Sequence, residues 1–223
     1  LEEGVREDII ALLKPEVLTA AVRKLRSDDV VDTIEDLEQF QKDVILDAFD
    51  KTERAAVKRS LSFPEFSAGH RMQREVVIVP ETWSVGEAID CLRAADKLRD
   101  QFYHVTLVDG RMHPIANVSL GRLLSSAREM FLKDIKEDIS WTIPVLQGEA
   151  DVAYVFNPYH LISSPVVDES KRIIGVITID DAMVVLNDEH EEDILRLAGV
   201  VENSPSDSVL ETTLQRFPCL AVN

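Results

Sequence analysis

The sequence predicts an α+β protein: an N-terminal array of short helices, then a twice-repeated β-α-β-β-α unit that leads into an acidic helix. Three observations carry this. Apolar residues recur every twelve positions in the first third, strand-like runs recur 59 positions apart in the remainder, and negative charge collects just beyond the last of those runs.

Leu13, Leu25, Leu37, Phe49 and Leu61 stand twelve apart, and Ile10, Val22, Ile34 and Leu46 keep the same period. Each unit has room for about two helical turns and a short turn. Pro15 suits the first turn of a helix and Ser27 suits an N-cap. No unit of this length buries its apolar edge alone, so the units are expected to stack into a small right-angled helical array over residues 1–66. Within it Asp28, Asp32, Glu35 and Asp36 share one helix face opposite Val30, Val31, Ile34 and Leu37. Their plain role is a solvated face whose first acids complement the helix dipole.

From about residue 70 the pattern changes to β-branched runs. Val76–Val79 precedes a helix signal in which Ser84 and Glu87 form a capping box. Val105–Val108 and Ile115–Ser119 read as paired strands around Asp109-Gly-Arg. At an offset of 59, Pro165–Asp168 and Ile173–Thr178 repeat that pair after a helix at Ala150–Phe156. Duplication of this size predicts two intimately packed half-domains.

The formal net charge is −17, and residues 180–211 contribute most of it, with ten acids against the single base Arg196. Such a surface disfavours nucleic acid or anionic lipid as the main partner, because both need clustered Lys and Arg. Cys91 and Cys219 form no disulfide framework, which points to a reducing compartment. No apolar run approaches the ~18 residues of a membrane span. The start at Leu1 and the apolar tail at residues 216–223 lead us to expect a piece of something longer. The five histidines show no metal-protease spacing, and no phosphate-loop or nucleophile-elbow motif is found, so catalysis is rejected.

Residues 161–181, Leu-Ile-Ser-Ser-Pro-Val-Val-Asp-Glu-Ser-Lys-Arg-Ile-Ile-Gly-Val-Ile-Thr-Ile-Asp-Asp, resemble the second half of a CBS-domain pair. Three features narrow the resemblance: the helical array before the pair, the junction Phe63-Pro-Glu-Phe-Ser-Ala-Gly-His-Arg-Met72, and the acidic segment 188–200. Together they resemble the cytosolic part of the MgtE family of magnesium channels and transporters. The resemblance implies a helical N domain at 1–66, CBS domains at 70–130 and 131–187, an acidic connecting helix at 188–200, and a linker at 201–223 into a first membrane helix.

The family likeness also implies a function. Mg²⁺ bound between the N domain, the CBS pair and the connecting helix would hold a pore closed. The CBS domains would form a homodimer on the cytoplasmic face of the cell (inner) membrane, and the pore domain would be the further partner, with no nucleic acid. Mg²⁺ takes only one or two carboxylates and keeps several waters, so it suits a removable cross-link between acidic surfaces. Asp181 matches the family's bridging acid, and Asp28 and Asp32 match a pair of N-domain aspartates. The Gly69 carbonyl is a further candidate ligand. Glu189, Glu192 and Asp193 match acids of the connecting helix, whose other face (His190, Ile194, Leu197, Ala198) is expected to pack. The sequence departs from the family at Gly148, Ala150, His160 and Val184, where acids are usual.

Two other readings compete. CBS pairs often bind AMP or ATP, and Thr178 with Asp181 would hold the ribose here. A plain dimerisation scaffold would use its acids only for solubility, with Thr178 and Asp181 capping a helix and Glu192 pairing with Arg196.

Overall fold

The computed structural model describes residues 15–22, 25, 27–35, 37, 39–95 and 102–197. Among these, four short helices come first: α1 (Pro15–Val22), α2 (Ser27–Glu35), α3 (Gln39–Ala48) and α4 (Lys51–Ser60). Their first residues stand twelve apart, so the sequence period is the helix repeat itself. Pro15 opens α1, where a missing N–H costs nothing. Asp50 caps α4 by accepting the Thr52 and Glu53 N–H groups at 2.8 Å, while Glu53 reaches back to the Asp50 N–H at 3.3 Å. Val22, Val30, Val31, Ile34, Ile45 and Val57 meet in one core. Leu25 keeps the period but is 42% exposed, because it falls between α1 and α2 rather than within a helix.

A four-residue helix, α5 (Ala68–Arg71), leads into two β-α-β-β units. The first contains β1 (Ile78–Pro80), α6 (Val85–Ala94), β2 (His104–Val108), β3 (Pro114–Ser119), α7 (Leu120–Ser125), α8 (Leu132–Ile135) and β4 (Glu137–Asp138). Its sheet has the order β1-β2-β3-β4, with β1 parallel to β2 and the other pairs antiparallel. The predicted capping box starts α6: the Glu87 N–H reaches Ser84 Oγ at 3.2 Å and the Ser84 N–H reaches the Glu87 carboxylate at 2.7 Å. The two-residue β4 carries no pattern long enough to read from sequence.

The second unit contains β5 (Ile143–Pro144), α9 (Glu149–Phe156), β6 (Ser163–Val167), β7 (Ile173–Thr178) and α10 (Ile179–Leu197), with sheet order β5-β6-β7. The offset of 59 holds to the residue for both hairpin strands. It extends to the ladder irregularities at Leu107/Val108 and Val166/Val167. It also extends to the turns, where Met112 and Lys171 both adopt positive φ, 68° and 61°. The two hairpins dock on one another: Ile173 N–H donates to Met112 C=O at 2.9 Å.

The junction before the first unit is built into the second. Ala68 and Met72 lie in the second unit's core beside Ile143, Val152, Phe156 and Ile177. The Ala68 and Gly69 N–H groups donate to Gln147 and Val145 carbonyls at 2.7 and 2.8 Å, and Gln73 pairs with Val176 of β7. The chain therefore threads along the second unit before it builds the first.

The acidic helix does not start afresh at residue 188. α10 runs unbroken from Ile179 to Leu197. Ala182 and Val185 bury its first half against the second unit. Farther on the expected packed face is not met in this chain: Ile194 is 65% exposed and His190 is exposed, because α10 has passed α9 and β7, the elements its first half packs on. The Leu197 side chain and Ala198 lie outside the described residues.

Candidate metal-binding junction

Residues 71–75 lie between the helical array and the second unit, and polar side chains join the two across them. α2 supplies one side. Ser27 Oγ accepts the Arg74 N–H at 2.9 Å and donates to the Glu75 carboxylate at 2.8 Å, so this hydroxyl ties α2 to the linker. Arg74 Nε donates to Ser60 Oγ of α4 at 2.8 Å.

Gln73 is fully buried and lies at the centre. Its amide Nε2 lies 3.0 Å from Asp28 Oδ2 and 2.8 Å from Asp181 Oδ2. Asp28 comes from α2 and Asp181 from α10, and both are buried, at 3% and 6% exposure. The amide satisfies lone pairs on each but brings no positive charge. Asp181 also closes the start of α10: its Oδ2 accepts the Thr178 N–H at 3.0 Å and the Thr178 hydroxyl at 2.7 Å. That hydroxyl is within reach of Asp180 as well. The helix-capping reading of Thr178 and Asp181 is therefore met, and the same carboxylate meets the N-terminal array.

One helical turn along α2, Asp32 faces Arg71. Arg71 Nε donates to Glu149 Oε2 at 2.9 Å and Nη1 to Asp32 Oδ2 at 3.3 Å. Burial opposes the charge on this guanidinium. The hydrogen bond and charge of Glu149, then the charges of Asp32 and Asp188, outweigh burial and raise its pKa above the ordinary value. Arg71 is a fixed cation among acids from α2, α9 and α10.

Gly69 packs beneath. A Cβ there would lie 2.5 Å from Val145 Cγ2 and 2.7 Å from Phe63 Cγ, so glycine is required by space. Gly69→Ala should cost about 1–3 kcal/mol by overpacking, read as a lower midpoint in thermal unfolding. Glu189 is half-buried on α10. The side chains of Glu192 and Asp193 lie outside the described residues. Of the acids singled out from sequence, Asp28, Asp32 and Asp181 meet at the junction. Gln73, Arg71, Glu149 and Asp188 join them without having been singled out. Glu149 stands between Gly148 and Ala150, the positions read as lacking acids. Among the described residues no three His, Cys, Asp or Glu side chains gather closely enough to hold a metal by themselves.

A separate, small solvent-open cleft lies between the two units, lined by residues including Glu75, Tyr103, His104, Ser163 and Thr178. Burial holds His104 below the usual imidazole pKa, with Glu137 partly opposing, so it is neutral at physiological pH.

A helical repeat array joined to a duplicated β-α-β-β unit is the arrangement of a helical N domain followed by a pair of CBS-like units. Residues 1–66 match the MgtE intracellular N domain and residues 135–188 match the CBS domain. The magnesium transporter MgtE of Enterococcus faecalis is 27% identical over 168 residues, 75% of this chain and 37% of its own length. The soluble part of a magnesium transporter superposes with a TM-score of 0.77 at 24% identity, covering 84% of this chain and 73% of that one. The cytosolic domain of the Mg²⁺ channel MgtE in complex with ATP superposes at 0.69 and 24%, covering 80% and 78%. At these identities the structural likeness is one of fold. By these matches the chain is similar to the N-domain and CBS region of the MgtE magnesium transporters, and it spans about two fifths of the length of the curated relatives it matches.

Proposed function

We propose that this region senses Mg²⁺ for a magnesium channel or transporter, and that the ion joins the N domain to the CBS pair and connecting helix to close the pore. The observation that carries the reading is the convergence of Asp28 and Asp181, buried carboxylates from two domains, on one neutral amide. The donor chemistry fits: Mg²⁺ is a hard cation that takes one or two carboxylates and completes its octahedron with water. Asp28 and Asp181 are the first candidates to hold it, with the Gly69 carbonyl, Glu189, Glu192 and Asp193 as further donors, while Asp32 is taken up by Arg71. The relatives' names as magnesium transporters support the choice of ion. In this reading the region works as a homodimer through its CBS domains, at the cytoplasmic face of the inner membrane, beside the pore domain of the same polypeptide.

Isothermal titration with MgCl₂ should give saturable heat, and proteolysis within residues 61–76 should slow several-fold in millimolar Mg²⁺. Asp181→Asn should weaken both responses at least several-fold. No heat and an unchanged cleavage pattern would remove the sensor reading and leave a dimerisation scaffold.

A second ligand reading is supported by the cleft and by the relative crystallised with ATP. An adenine nucleotide would enter between the units near Thr178. Asp181, taken up by Gln73 and the start of α10, is less available to a ribose than its spacing from Thr178 suggested. Titration with ATP in EDTA separates the two ligands.

A further inference from the structure

We propose that Arg71 is a built-in cation that holds the N domain against the second CBS unit without any metal, and so sets how much ion the region needs to close. The tether itself requires no divalent ion; only its effect on ion demand rests on the sensing reading above.

Arg71 is anchored on one side of the boundary. It ends α5, whose Ala68 and Gly69 N–H groups bond to the 145–147 segment and whose Ala68 lies in the second unit's core. Its Nε is held by Glu149, a neighbour within that same unit, at 2.9 Å. This fixes the plane of the guanidinium and aims the remaining fork across the boundary, where Nη1 meets Asp32 of α2 at 3.3 Å. Arginine is suited to this because its donors are rigidly splayed and can serve two carboxylates at once, which a lysine ammonium does only loosely. The side chains of Arg71, Asp32 and Glu149 are 22%, 31% and 13% exposed, so solvent screens the contact only in part.

The charge balance gives the consequence. Asp32, Glu149 and Asp188 all bear on Arg71. With the guanidinium present, the N domain's Asp32 faces a cation. With it removed, the acids on the two sides of the boundary lose the cation they share, which weakens the contact between the domains. Arg71 works at Asp32 and Glu149, while the bridging ion is assigned to Asp28 and Asp181, so the two cations act in parallel. A region with this tether starts nearer the closed arrangement, and less ion completes the closure.

The test uses the 223-residue chain in small-angle X-ray scattering. In EDTA, Arg71→Gln should show a larger radius of gyration than wild type, and Arg71→Lys should lie between them. Asp32→Asn should also open the molecule, and adding Arg71→Gln to it should open it little further. An unchanged radius for Arg71→Gln in EDTA, or additive effects of the two changes, would overturn the tether. On titration with MgCl₂ the Arg71→Gln midpoint should rise several-fold; an unshifted midpoint in a responsive protein counts against the proposal. If neither protein responds to MgCl₂, the sensing reading falls, while the comparison in EDTA still decides the tether.

Discussion

Gln73→Leu should destabilise the CBS pair by about 3 kcal/mol or more, the sum expected when two buried charged groups lose a hydrogen-bond donor. Leucine has nearly the volume of glutamine, so the change creates little cavity and isolates the polar effect. Asp28 and Asp181 would then face an apolar side chain at 3% and 6% exposure, with the amide that reached both removed. The gain from burying a slightly more apolar side chain, about 1 kcal/mol, is too small to compensate. Urea unfolding followed by tryptophan fluorescence should show a midpoint well below wild type. If the midpoint stays within experimental error, the amide is a bystander and the carboxylates are held by other partners.

Ile34→Ala should have a comparable or larger effect, about 2–5 kcal/mol, on the N domain. Ile34 is fully buried where α2 meets its neighbours. The four described helices are only 8 to 10 residues long, below the length at which a helix persists alone in water. Their stability comes from the shared core, and one cavity there removes a large part of it. The expected result is a two-step unfolding curve, with the helical array lost first and the CBS pair near its wild-type midpoint. A single transition shifted as a whole would show that the junction makes the domains one cooperative unit.

The repeats were legible in the sequence because periodicity is local. A twelve-residue period sets where α1 to α4 begin, and an offset of 59 carries strands, irregularities and turn conformations from one unit to the other. Asp28, Asp32 and Asp181 were reachable through the family likeness. Gln73 and Arg71 were not, since they sit in a short stretch without helical or strand period. Their roles come from a close approach between distant segments. A Cβ on Gly175 would lie 2.5 Å from Met72 Sδ and 2.9 Å from the Gln73 carbonyl, so that glycine lets the linker lie against β7. Nothing adjacent to Gln73 signals a contact that depends on residue 175. Glu149 was missed for a smaller reason: the acid sits one position from where the family pattern directed attention.

The unbroken course of α10 has a mechanical consequence. Its 19 residues make a rod about 28 Å long at 1.5 Å per residue. Its first turn is held where Asp181 is bonded to Thr178 and Gln73, and its first half is packed on the second unit. A tilt of about 10° at that end would sweep Leu197 through roughly 5 Å on a rod of this length. A shift of the whole helix that small at its packed end would be magnified to nearly a helical turn at its far end.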